Sequence, residues 1–213
     1  MRAVIFVNGA FNEPQRVRDL LRPDDLIIAV DGGTRYAWEV GAEPQLIVGD
    51  LDSLTAGEQK RLRSAGVEIS SFPARKDQTD LELALHRAVA EGASAVVIVA
   101  ALGGRLDQMM ANLLLLTLPG LHDVDVRVVE GSQEAFLIRA EACIEGQPGD
   151  TVSLIPLRGD ATGITTEGLE WALEDEPLRF GETRGISNVL KAEQASVRVR
   201  RGLLFCVVTH VRE

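Results

Sequence analysis

At 213 residues, with 46% hydrophobic and 25% charged side chains, the chain has an ordinary soluble, globular composition and room for one large domain or two modest ones. A formal net charge of −10 argues against a nucleic-acid surface, which needs clustered Lys and Arg. No apolar run approaches the roughly 18 residues of a membrane helix, no signal peptide opens the chain, and Cys143 and Cys206 lack zinc-type spacing, which predicts a cytoplasmic protein with two reduced, buried thiols.

Ala3–Val7 is a short continuous apolar run and reads as a buried strand ending in Asn8-Gly9. Pro14 is suited to the first turn of a helix reaching about Leu21. Leu26–Val30 is a second buried strand, followed by Asp31-Gly32-Gly33 and a helix through Tyr36 and Trp38 that stops near Gly41. Gln45–Val48 is the third strand, Thr55–Ala65 a helix, Val67–Phe72 a strand and Leu81–Glu91 a helix. Ala95–Ala101 is the most hydrophobic strand, and Gly103-Gly104 leads into a helix ending near Leu118. Such alternation predicts an α/β domain with a mostly parallel open sheet and helices on both faces.

Beyond about Val124 the pattern changes. Val126–Val129, Ala135–Ile138, Thr151–Ile155, Ala161–Thr166, Val197–Val199 and Leu203–Thr209 are all strand-like, with Gly and Pro turns between them. An all-β sandwich domain is expected there, with domains spanning residues 1–131 and 132–213.

Polar residues gather after the apolar runs. Asp50 and Asp52 follow the third strand, and in extended backbone residues i and i+2 point the same way, so both carboxylates could reach one hard cation. The competing reading is that Asp52 or Ser53 merely caps the helix near Thr55. Asp31-Gly32-Gly33, and Gly103-Gly104-Arg105 with Asp107, follow other strands; an open parallel sheet brings such ends to one ligand-binding edge. Glycines there permit close backbone approach to phosphate, although neither turn fits the P-loop or dinucleotide fingerprint. In Arg75-Lys76-Asp77-Gln78-Thr79-Asp80, Asp77 reads as an N-cap and Asp80 as N3. The functional reading has Asp80 or Asp77 completing a Mg²⁺ site with Asp50 and Asp52, while Lys76 meets a phosphate oxygen. His86, His122 and His210 share no ligand spacing, and no serine sits in a nucleophile elbow. Trp171 reads either as core or as a platform for a flat ring, with Ser187 and Asn188 as turn residues or hydrogen-bonding partners.

Taken in order, D-G-G at Asp31, G-D-L-D-S at Gly49, K-D-Q-T-D at Lys76, G-G-R-L-D at Gly103, G-L-E-W at Gly168 and G-I-S-N at Gly185 resemble the thiamine pyrophosphokinase family over nearly the whole chain. The resemblance implies an N-terminal α/β domain that binds ATP and a C-terminal β-sandwich that binds thiamine. It also implies a homodimer with the thiamine site at the subunit interface. Asp50, Asp52 and Asp80 then correspond to Mg²⁺ ligands, with Asp77 and Asp31 nearby. Asp31, Gly32, Gly33, Lys76, Gln78, Thr79, Gly103, Gly104, Arg105 and Asp107 would form the nucleotide site, with Arg105 catalytic. Gln78, Trp171, Ser187 and Asn188 would hold thiamine. Departures from the family pattern are Ala100 for Gly, Gln108 for His, Glu170 for Lys and Val189 for Glu. The implied reaction is ATP plus thiamine giving AMP plus thiamine diphosphate; a pterin alcohol as acceptor, or a non-catalytic nucleotide or thiamine sensor, are the alternatives.

Overall fold

The computed structural model describes residues 1–71 and 77–211. The chain forms two compact units, Met1–Gly131 and Ser132–Glu213.

In the first unit, strands β1 (Arg2–Phe6), β2 (Leu26–Val30), β3 (Leu46–Gly49), β4 (Glu68–Ser71), β5 (Ala95–Val99) and β6 (Asp125–Glu130) lie in the order β6-β5-β1-β2-β3-β4. Every pairing is parallel. Helices α1 (Pro14–Leu20), α2 (Gly33–Glu39), α3 (Ala56–Ser64), α4 (Asp80–Ala90) and α5 (Leu106–Leu114) connect them. The central strands are apolar throughout because both faces are covered. Val4, Phe6, Ile27, Ala29, Ile47 and Val97 share one core with Val17 of α1, Ala37 of α2 and Leu62 of α3. Ile5, Ile28 and Ile98 alternate with them and are fully buried, and α4 packs on β1, β2 and β3 while burying Leu81, Ala84, Leu85 and Ala88. Helices therefore cover both faces, as expected. Edge strand β4 is the least buried, and Phe72, expected to end it, lies outside the described residues.

One expectation is corrected here. The strand Val126–Val129, grouped with the β-rich pattern beyond Val124, is β6 and pairs in parallel with β5. A four-residue apolar run carries no information about its partner.

The second unit pairs β7 (Gln133–Ile138), β9 (Thr151–Pro156), β12 (Asn188–Val189) and β14 (Leu204–Thr209) in the antiparallel order β12-β9-β14-β7. A second antiparallel sheet runs β11 (Glu176–Leu178), β10 (Ala161–Glu167), β13 (Gln194–Arg198), β8 (Glu141–Glu145). Phe136, Ile138, Ile144, Leu154, Ile164, Leu178, Val197 and Leu204 form the core of this sandwich. Strands β8, β11 and β12 escape a reading based on apolar runs; β8 buries only Ile144. Neither cysteine forms a disulfide, but Cys143 lies on the open face of β8 and is exposed, so only Cys206 meets the expectation of a buried thiol.

Candidate active site

A cleft of about 360 Å³ opens at the carboxyl ends of the parallel strands. Its walls include Asn8 and Gly9 after β1, Asp31 after β2, Asp52 and Ser53 after β3, Thr79 and Asp80 at the start of α4, Gly103 after β5, and Gln108 and Asn112 of α5. Chain order reverses between β1 and β5, and this is where an open α/β sheet receives ligands.

Local backbone explains how the carboxylates are held. Asp31 adopts φ +44 and Gly49 φ +146. A Cβ on Gly49 would lie 1.9 Å from Asp31 Oδ1, so only glycine admits the Asp31 carboxylate. The Leu51 N–H donates to that Oδ1 at 3.2 Å. Leu51 has φ +63 and is buried, and the Asp52 N–H donates to Asp50 Oδ1 at 3.1 Å. Asp50 and Asp52 are thus brought together by a turn in which Asp50 bonds the backbone two residues on. The expected extended geometry is absent, because the strand has already ended at Gly49.

Neither Asp52 nor Ser53 caps α3. Thr55 does, in a capping box with Glu58. The turn is braced from behind: Arg35 Nη2 donates to the Ser53 carbonyl at 2.7 Å while pairing with Glu58, and Gln59 Nε2 donates to the Leu51 and Leu54 carbonyls. At α4 the cap is Thr79, whose Oγ1 accepts from the Glu82 N–H at 3.3 Å. Asp77 therefore is not the cap, and Asp80 is the first helical residue instead of N3. The shift follows from the choice between neighbouring good caps, Asp77 and Thr79, which sequence alone leaves open.

The electrostatics set this cluster apart. Burial pushes the Asp31 carboxyl up to about 6; the Leu51 N–H opposes that, and the negative charges of Asp80, Asp50 and Asp52 add to it. Asp52 is raised chiefly by its hydrogen bond to, and charge from, Asp50, with a smaller push from Asp80. Four carboxylates therefore lie within one another's field. Among the described residues no three His, Cys, Asp or Glu side chains form a ready-made metal cage. Magnesium needs none, since it keeps waters and takes one or two carboxylates plus substrate phosphates; a cluster that repels itself fits such an ion.

Other expected site residues lie apart from the cleft walls. Arg105 and Asp107 are exposed and paired with each other, Nε to Oδ1 at 3.1 Å. Gln78 donates to Glu82 at 2.9 Å, and Asp77 is exposed. Gly32 and Gly33 serve close packing: a Cβ on Gly33 would lie 2.2 Å from the Phe6 carbonyl, and one on Gly32 would meet Asn8. Gly104 has φ +77 with open space around it. Lys76 lies outside the described residues. In the second unit Trp171 is 62% exposed, which removes the core reading. Asn188 locks its loop, accepting from the Trp171 N–H at 3.0 Å and donating to the Trp171 carbonyl at 2.7 Å. Ser187 holds φ +60, and its N–H donates to Ser153 Oγ at 3.0 Å. Sequence reasoning passed over Asn8 and Asn112 as cleft residues, since topology alone assembles them, and weighed Ser53 only as a cap although it closes the G-D-L-D-S motif.

Residues 17–128 match the model of the thiamin pyrophosphokinase catalytic domain, and residues 141–204 that of the thiamin pyrophosphokinase vitamin B1 binding domain. The chain belongs to the thiamin pyrophosphokinase family. A thiamine pyrophosphokinase of Bacillus subtilis is 29% identical over 184 residues, covering 85% of this chain and 86% of that one. Thiamine pyrophosphokinase 2 of rice (Oryza sativa subsp. japonica) is 29% identical over 180 residues, 77% of this chain and 65% of its own length. A solved thiamine pyrophosphokinase structure from Bacillus subtilis superposes over 100% of both chains with a TM-score of 0.89 at 25% identity. One from Geobacillus thermodenitrificans gives 0.84 at 26% identity, covering 98% of this chain and 97% of that one. Family membership makes the chain a transferase of the kinase type that uses ATP. Among the described residues no helix is long and apolar enough to cross a membrane.

Proposed function

We propose that the cleft at the strand ends of the first unit is where the pyrophosphoryl group of ATP passes to the hydroxyl of thiamine. The first unit then acts as the ATP-binding catalytic domain and the second as the thiamine-binding domain. The observation that carries this reading is the convergence of Asp31, Asp52 and Asp80 on one cleft, with Asp50 in their field. The thiamine oxygen forms a bond to the β-phosphorus, the bond from that phosphorus to the α,β-bridging oxygen breaks, and AMP leaves with that oxygen.

Asp50, Asp52 and Asp80 would hold Mg²⁺, with Asp31 beside them. When bound, the ion neutralises charge on the phosphate oxygens. Positioning and charge neutralisation are most of what such a transfer needs. The hydroxyl proton would pass to a carboxylate, for which Asp80 of this group and the exposed Asp77 before it are the candidates. Thr79, Gly103 and the backbone around Gly32, Gly33 and Gly104 would border the polyphosphate, with Gln78, Lys76 and Arg105 supplying donors. Arg105 would have to exchange Asp107 for phosphate, which its exposure allows. Exposed Trp171, with Ser187 and Asn188 fixed around it, suits stacking on a cationic heterocycle.

A homodimer with the thiamine site at the subunit interface is part of this reading. Its support is α5, which buries none of its residues and exposes Leu106 (73%), Met110 (55%) and Leu114 (48%) at helical spacing. A solution mass of twice 23.0 kDa is expected in sedimentation. Two cysteines outside any disulfide suit a cytoplasmic protein.

The deciding experiment incubates the protein with ATP and Mg²⁺ plus either thiamine or a pterin alcohol and measures AMP release. Thiamine-dependent AMP formation is expected; release with the pterin alone, or with neither, would overturn the assignment of acceptor.

A further inference from the structure

Ser53 closes the G-D-L-D-S turn, yet it does none of the local work expected of a serine there. It does not cap α3, since Thr55 holds that position. Its carbonyl is occupied, accepting from Arg35 Nη2 at 2.7 Å. Its hydroxyl is another matter: Ser53 Oγ is closed off from solvent and, among the described residues, has no hydrogen-bond partner. A buried hydroxyl without a partner forfeits its solvation and gains nothing in return, and native proteins seldom keep one without a use.

Its location suggests the use. Ser53 forms part of the wall of the cleft that Asp31, Asp52 and Asp80 also line. The Arg35–Glu58 pair and the Gln59 amide hold the surrounding backbone, so the side chain has one soft coordinate, rotation about χ1 between staggered wells. Asp31, Asp52 and Asp80 in the same cleft are carboxylates, which cannot donate to an anion when ionised. A hydroxyl beside them adds a neutral donor that leaves the charge balance of a metal site untouched.

We infer that Ser53 Oγ is a ligand-binding group of this cleft: it turns into the cleft when a metal-bound polyphosphate arrives and donates a hydrogen bond to one of its anionic oxygens. The inference rests on the reading of the cleft as a nucleotide site. Removing a hydroxyl that is unpaired in the free protein and paired in the complex has two opposite consequences. The free protein keeps or gains stability, and the complex loses a charge-assisted hydrogen bond.

The test uses Ser53→Ala, with Ser53→Gly as a second hydroxyl-free variant, and measures both thermal unfolding of the free protein and calorimetric binding of a non-hydrolysable ATP analogue with Mg²⁺. Expected are a melting temperature equal to or above that of the parent and an affinity lower by about tenfold, the worth of one such bond. Unchanged affinity in both variants, or a lowered melting temperature with unchanged affinity, overturns the role of Ser53. Failure of the parent protein itself to bind the analogue with Mg²⁺ would instead overturn the reading of the cleft.

Discussion

Strand β2 carries an aspartate at each end, and the two live under opposite rules. Asp25, before the strand, is buried and fully met: Arg2 Nε and Nη2 each donate to it at 2.7 Å, and the Arg22 N–H adds a third bond at 2.7 Å. Burial alone would raise its carboxyl, but Arg2 and the Arg22 N–H outweigh that and hold it below the ordinary value. Asp31, after the strand, has one backbone donor and three carboxylates for company, and it is raised to about 6. The second unit repeats the first pattern in Asp150, which accepts from the Gln147 and Val211 N–H groups and pairs with His210 Nδ1. Burial opposes ionisation there too, yet those bonds keep the carboxyl low. Asp25 and Asp150 are matched by side-chain partners and backbone donors within the fold, whereas Asp31 accepts from the Leu51 N–H and sits among like charges.

Breaking that contrast from the functional side gives the largest effect. Asp50→Asn or Asp52→Asn is expected to cut thiamine-dependent AMP formation by about a hundredfold or more, with melting temperature unchanged or raised because repulsion is relieved. Near-parental activity in both would reject the metal assignment. From the structural side, Asp25→Ala leaves Arg2 without its partner and should cost about 3 kcal/mol in denaturant unfolding, while the activity of the folded fraction stays the same.

Titration sharpens the same comparison. Burial and the surrounding carboxylates push the Asp31 carboxyl up to about 6, from an ordinary 3.8. Its contribution to stability is therefore fully present below about pH 4 and is lost as pH rises through 6. Asp31→Asn is expected to be more stable than the parent at pH 7 by about 1 kcal/mol, screening by solvent having reduced the effect, and to lose that advantage at pH 3.5. The lowered pair, Asp25 and Asp150, act in the other direction: their stabilisation is present above the ordinary carboxyl pKa and fades as pH falls below it. The smallest effect is at Ala100, which follows β5 in a left-handed conformation, φ +54, a backbone that glycine adopts without strain. Ala100→Gly should stabilise by about 0.5–1 kcal/mol, with turnover retained.

Much of this was legible without coordinates. The apolar runs Leu26–Val30 and Ala95–Val99 are strands because their composition suits a sheet buried on both faces. What misled was local detail. Asp50 and Asp52 do converge, but through a left-handed Leu51 and a side-chain-to-backbone bond that no alternation pattern reveals. The cap of α4 passed from Asp77 to Thr79 because both are good caps and only the path of the chain chooses. Short polar strands such as β12 owe their pairing to β9 and not to their own residues.

By itself the sequence determined the order of elements, the change from alternating α/β to all-β, and the acidic and glycine-rich segments that mark the family, because periodicity, turn chemistry and motif order are local properties. Only tertiary structure decided that Asp31, Asp52, Ser53, Asp80 and Asn112 face one cleft, that Arg105 turns to Asp107, and that Asp31 and Asp25 carry opposite charge preferences. Those outcomes depend on which groups meet across the sheet and how far water is excluded, and neither is written in the neighbourhood of any single residue.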